Sequence, residues 1–207
     1  MEIDYYLFIK GNVSVIKIVG LDLAAKVKNP TGVAILNIYD FNKDGFDSIL
    51  NVSLVHEDNE IIHATGNATL VAIDAPLTFP KTGITRELDK AMMSKGFKVF
   101  PALFSYMKDL TQRGVLLAEN LMKKGVNVIE VHPRSSMKIM DLSPMEVKKM
   151  FFDKLQKAPT LHEIDAVVCA LTGLAYYLNE FIEIKAEDGR LILPKKEFKE
   201  VIKTIHI

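Results

Sequence analysis

The chain has 207 residues, 49% hydrophobic and 25% charged, with a formal net charge of zero. That is the composition of a packed domain and not of a disordered one, and neutrality leaves attraction to nucleic acid to local patches such as Lys123-Lys124, Lys148-Lys149 and Lys195-Lys196, whose plain reading is solvated surface. A single cysteine, Cys169, excludes an internal disulfide, no apolar run reaches the ~20 residues of a membrane span, and the start Met1-Glu2-Ile3-Asp4 lacks a basic leader, so one cytoplasmic domain over 1–207 is expected, without a membrane and with a homodimer left open.

Residues 5–9 read as a strand, and Gly11-Asn12 suits a tight turn, so 1–12 is expected to add an N-terminal strand. The core opens with a strand over 13–23, closed by the turn Asn29-Pro30-Thr31-Gly32. Strands over 31–39 and 48–55 follow, separated by Asn42-Lys43-Asp44-Gly45, and complete an antiparallel meander. A short helix over 58–64 precedes a fourth strand, 70–74, apolar enough to be covered on both faces. Thr85 caps a helix over 86–95, which Gly96 ends, and a second helical stretch covers 102–124 with a break at Gly114. The fifth strand, 126–131, should lie parallel to the fourth, since helices separate them. Leu142-Ser143-Pro144-Met145-Glu146-Val147 is a helix start with cap, first-turn proline and staple, predicting a helix to 157. Thr160 and Glu163 form a second capping box, opening a helix to 182 with a core stripe from Ile164 to Leu178. A strand over 191–193 and a lysine-rich helix to 204 close the chain. The expected class is α/β: a mixed five-stranded sheet, meander plus parallel strands, flanked by helices.

Four lone acids interrupt this apolar sequence: Asp22, Asp74, Glu130 and Asp165. An isolated carboxylate in such a setting is costly to bury. Three of them end strands, where open α/β sheets bind ligands. Asp165 lies one turn into its helix, with His162 on nearly the same side. Carboxylates that share a site repel, and Mg²⁺ or Mn²⁺ resolves this because hard cations take oxygen ligands. Two such ions ~3.5–4 Å apart can drive phosphodiester hydrolysis by water, with no side-chain nucleophile. His132, on the Glu130 strand, reads equally as a partner of the site or as a packed residue. Arg86 and Asp89, at i and i+3, make a local ion pair by default; the sharper reading puts Arg86 on a substrate phosphate. Glu163 reads as a capping residue, and Cys169 as packing. No exposed alternation of aromatic and basic residues suggests a stacking platform.

Five segments together resemble a known family: Gly20-Leu21-Asp22-Leu23-Ala24 with Pro30-Thr31-Gly32, Ala72-Ile73-Asp74-Ala75-Pro76-Leu77, Arg86-Glu87-Leu88-Asp89, Val128-Ile129-Glu130-Val131-His132-Pro133, and Asp165-Ala166-Val167-Val168-Cys169-Ala170. Their order is similar to that of the predicted nucleases of domain-of-unknown-function family 429, which has a ribonuclease H-like fold related to the Holliday-junction resolvases. The resemblance implies a nuclease in which Asp22, Glu130 and Asp165 hold metal and Asp74 is the family's own acid on the fourth strand. The family often has an acid where this chain has His162, which leaves His162 as ligand, proton shuttle or helix surface. The expected function is hydrolysis of nucleic-acid phosphodiester bonds with Mg²⁺ or Mn²⁺, Arg86, His132 and His162 contacting substrate. The rivals are a phosphotransferase of the actin and sugar-kinase type, against which no glycine-rich phosphate loop is seen, and a catalytically silent binding protein on the same fold.

Overall fold

The computed structural model describes residues 15–42, 45–153, 156 and 158–207. The expected N-terminal strand lies outside them. The chain folds as β1 (Ile16–Asp22), β2 (Thr31–Asn42), β3 (Gly45–Val55), α1 (Asp58–Thr65), β4 (Leu70–Asp74), α2 (Glu87–Ser94), α3 (Met107–Lys123), β5 (Asn127–Glu130), α4 (Pro133–Met140), α5 (Pro144–Val147), α6 (Leu161–Tyr177), β6 (Phe181–Ala186), β7 (Gly189–Pro194), α7 (Phe198–Ile202) and β8 (Ile205–His206). The main sheet runs β5-β4-β1-β2-β3-β8. Its first three strands pair antiparallel, and β4 and β5 join parallel to β1. This is the order of a ribonuclease H-like fold, as the sequence implies, with β8 as a sixth strand parallel to β3.

Three differences from the expected elements have local causes. The helix from Thr160 stops at Tyr177, and Ile182 lies in β6, which pairs with β7 as a hairpin. Asn179, at φ 59°, supplies the left-handed turn that ends it. The helix from Pro144 lasts one α-turn and continues as a π-helical turn, Lys148–Phe152. α3 is one unbroken helix from Met107; Gly114 does not break it but lets it pass the Pro76 carbonyl, which a Cβ would meet at 2.8 Å. α4 was not foreseen.

The sheet is covered on both faces. On one, β1 side chains Ile16 and Ile18 pack with Leu36, Val167, Leu171 and Leu174, so α6 is buried nearly all round. On the other, Val19, Leu21 and Ile73 meet Ile61 of α1 and Leu117 and Leu121 of α3. The β6–β7 hairpin packs on α2 through Leu88, Met92, Ile184 and Leu193, and touches the sheet where Val131 bridges Ile192. Cys169 is fully buried. Among the described residues, no helix is long and apolar enough to cross a membrane.

The seat of α6 is set by two glycines. A Cβ on Gly20 would lie 2.2 Å from the Ala166 carbonyl oxygen and 2.3 Å from the Ala170 nitrogen. A Cβ on Gly32 would lie 2.1 Å from the His162 carbonyl oxygen. Helix backbone cannot yield as a flexible side chain does. Gly20→Ala should therefore push α6 off β1 and cost about 1–3 kcal/mol or more, read as a lower urea midpoint at unchanged slope.

Candidate active site

Asp22 is the last residue of β1, and the register sets it level with Asp74, the last residue of β4. The turn after Asp22 is held firmly. Ala24 donates its N–H to Thr31 Oγ1 at 3.1 Å, and its carbonyl accepts from Arg113 Nη1 at 2.7 Å. α6 adds the third acid. Its capping box forms as the spacing predicts: Glu163 N–H donates to Thr160 Oγ1 at 3.3 Å and Thr160 N–H to Glu163 Oε2 at 2.9 Å. The close seat at Gly20 and Gly32 then brings the first turn of α6 over the end of β1. His162 Nδ1 stands 2.6 Å from Asp22 Oδ2, and Asp165 faces Arg134, with Nε 3.5 Å from Oδ2.

All three carboxyls are raised, each first by burial. Burial raises the Asp22 pKa, opposed by the hydrogen bond and charge of His162 and by Arg134. Burial pushes Asp165 up to about 6, the nearby Asp22 charge adds to this, and Arg134 opposes it. Asp74 is held well above the carboxylate range, first by burial and then by the charges of Asp22, Asp165 and Glu130. Asp74 therefore senses both of the others and Asp165 senses Asp22, while Asp22 is raised by burial alone. Among the described residues, no three His, Cys, Asp or Glu side chains stand as a preformed metal site. The donor set nonetheless fits a hard divalent cation: carboxylate oxygens only, mutually repelling, at the carboxyl ends of two parallel strands.

Glu130 behaves otherwise, and the expectation for it is corrected. Its Oε1 accepts from Arg86 Nη2 at 2.7 Å, and its Oε2 accepts from Arg86 Nη1 and from the Leu77 N–H, both at 2.8 Å. Burial raises the Glu130 pKa while the Arg86 bonds and charge pull it down. Both oxygens are thus spoken for, and the carboxylate is a structural anchor. Arg86 is corrected with it. Its remaining N–H groups go to Asp89 Oδ1, from Nε at 3.0 Å and Nη2 at 2.8 Å, and to Thr78 Oγ1 at 3.1 Å. A guanidinium has five N–H donors, and all are used. Arg86 is 3% exposed, so no phosphate reaches it. Burial works against its charge, but the two carboxylates outweigh that and raise its pKa. The i,i+3 pair with Asp89 forms as the plain reading has it.

His132 is corrected too. It caps α4: the Ser135 N–H donates to Nδ1 at 3.2 Å, and Ser135 Oγ lies 2.8 Å from the same nitrogen. Burial, then the Arg134 charge, lower its pKa to about 4, so it is neutral and structural. The residue that sequence reasoning missed is Arg134. It is exposed and beside Asp165, and its charge acts on all three clustered acids. The signal was there, since Arg134 follows His132-Pro133 at a helix start.

Two outcomes follow. Arg86→Leu strands Glu130 and Asp89 in the interior and should cost about 3–5 kcal/mol in urea unfolding, whereas Glu130→Gln leaves the Asp89 pair and should cost less. Asp165 has a folded pKa above its unfolded one, so its charge lowers stability as pH rises from about 4 to 6 and throughout higher pH. In metal-free buffer Asp165→Asn should therefore gain about 1–3 kcal/mol at pH 7.5, and close to nothing at pH 4.

No family model matches the chain, and no curated protein does. Among solved structures it is similar to Thermus thermophilus RuvC, at 15% identity, over 75% of this chain and 91% of that one, with a TM-score of 0.44. It is similar to the same extent to T. thermophilus RuvC in complex with Holliday junction substrate, over 75% of this chain and 90% of that one, again at 15% identity and a TM-score of 0.44.

Proposed function

We propose that the chain is a divalent-metal-dependent phosphodiesterase that hydrolyses nucleic-acid backbone bonds, centred on Asp22, Asp74 and Asp165. The observation that carries this reading is the crowding of three carboxyls, all with raised pKa values, at the end of the sheet where α/β folds bind ligands. The motif resemblance to family 429 points the same way. Mg²⁺ or Mn²⁺, as one ion or two, would neutralise the cluster and polarise both a phosphate and an attacking water.

The chain's own residues do the rest. Asp22 and Asp165, from two elements locked together at Gly20, supply metal ligands; Asp74 supplies a further ligand or accepts a proton from water. His162 orients the Asp22 carboxylate through Nδ1, which leaves Nε2 to exchange a proton with solvent. Arg134 offers a guanidinium fork to the phosphate oxygens. Glu130 takes no part in the chemistry; its carboxylate is held by Arg86 and the Leu77 N–H.

The test is Mn²⁺-dependent cleavage of single-stranded, branched and RNA substrates, with loss of activity in chelator. Asp22→Asn and Asp74→Asn should each lower the rate at least about a hundredfold, as expected for several kcal/mol of charge stabilisation. His162→Ala should lower metal affinity or rate by about 10–100-fold. Full activity in Asp22→Asn would remove the mechanism. Mn²⁺ binding with no turnover on any substrate would leave the silent binding protein instead.

A further inference from the structure

The loop that joins α2 to α3 exposes rings where a monomeric fold has no need of them. Phe100 is 58% exposed, Phe104 46% and Tyr106 56%. Phe100 and Tyr106 meet edge to face, their centroids 5.8 Å apart. Ser105 between Phe104 and Tyr106 sits at φ 41°, a backbone conformation that a non-glycine residue adopts only when its surroundings hold it there. The loop is pinned from beneath. Buried Ala102 donates its N–H to Asp89 Oδ2 at 3.0 Å and accepts from Thr111 Oγ1 at 2.5 Å. Leu103 N–H donates to the Ile84 carbonyl at 3.0 Å. Through Asp89 and Arg86 this support reaches Glu130 at the end of β5.

Charge and place complete the picture. Between Asp89 and Asp109 the sequence holds no acid and four lysines, Lys90, Lys95, Lys98 and Lys108. Lys90 pairs with Glu87, while Lys95, Lys98 and Lys108 are exposed. A neutral chain thus carries a local basic stretch interleaved with rings, and the expectation that it has none is corrected. α3 is the return helix from β4 to the start of the parallel strand β5. Its N-terminus therefore lies at the carboxyl end of the sheet, the end that carries Asp22 and Asp74.

We propose that Phe100, Phe104 and Tyr106, with the exposed Lys95, Lys98 and Lys108 close by in the sequence, form a stacking platform for the unpaired bases of a single-stranded nucleic acid. Every base has a face that stacks on an aromatic ring, and the lysines suit the phosphates between bases. This rests on the hydrolase reading for its purpose, since it names the substrate's form, but not for its measurement.

Binding is read in chelator, by anisotropy of a fluorescein-labelled twelve-residue oligothymidylate and of a duplex of equal length. The single strand should bind more tightly. Phe100→Leu and Phe104→Leu, which keep apolar area and remove the ring, should each weaken it about tenfold, within the range for loss of one stacked base, at unchanged melting temperature. The chain has no tryptophan, so Tyr106→Trp gives a unique emission, which the oligonucleotide should quench with the same affinity. Lys98→Ala should lower the salt slope by about 0.7. Equal affinity for duplex and single strand, indifference to both leucine substitutions, or binding of a protein in place of any oligonucleotide would overturn the platform. A single strand that stacks, with no substrate of any kind cut in Mn²⁺, keeps the platform and removes the hydrolase; cleavage at full rate by the Phe100→Leu, Phe104→Leu double variant does the reverse.

Discussion

The approach of α6 to the sheet at Gly20 and Gly32 is the constraint on which the site depends. With no side chain between them, helix backbone lies directly on strand backbone. The first turn of α6 then falls over the end of β1, and His162 comes within 2.6 Å of Asp22. The parallel register of β1 and β4 adds Asp74 at the same level. Burial is the first cause of the raised pKa at all three acids, and nearby carboxylate charge adds to it at Asp74 and Asp165; interaction between charges grows as their separation falls, so a wider seat for α6 would relax both. The packing and the electrostatics share one cause.

Two kinds of buried acid stand at the same end of the sheet. Glu130 and Asp89 share one guanidinium, with backbone N–H groups of Leu77, Arg86 and Ala102 completing their bonds. A network satisfied in this way rigidifies what it joins. Asp22 faces a half-exposed histidine and Asp165 an exposed arginine. One cluster is fully bonded, while the acids of its neighbour carry raised pKa values, a cost in stability at neutral pH.

The satisfied cluster is more than ballast. It fastens the long connection after β4 at three points, Leu77, Arg86 and Ala102, and so holds the loop that carries Phe100, Phe104 and Tyr106. Glu130 thus acts through the connection it fastens, with both carboxylate oxygens bonded. Its motif places it on a strand beside the other acids, and that proximity made it look like one of them.

Local chemistry was legible in the residues themselves. The capping boxes at Ser143 and Thr160, the meander turns, and the anomaly of lone acids in apolar strands depend on neighbours close in the chain, and the parallel pairing of β4 and β5 followed from the helices between them. Their partners were not legible. Glu130 meets an arginine 44 positions away and Asp22 a histidine 140 away, and no local pattern says which distant cation will arrive. The same limit hid Arg134, the β6 strand within an extended helical pattern, and the exposure of the rings after α2. A residue's type limits the partners it can take, but the folded chain chooses among them, because burial and pairing are decided by which segments the sheet order brings together.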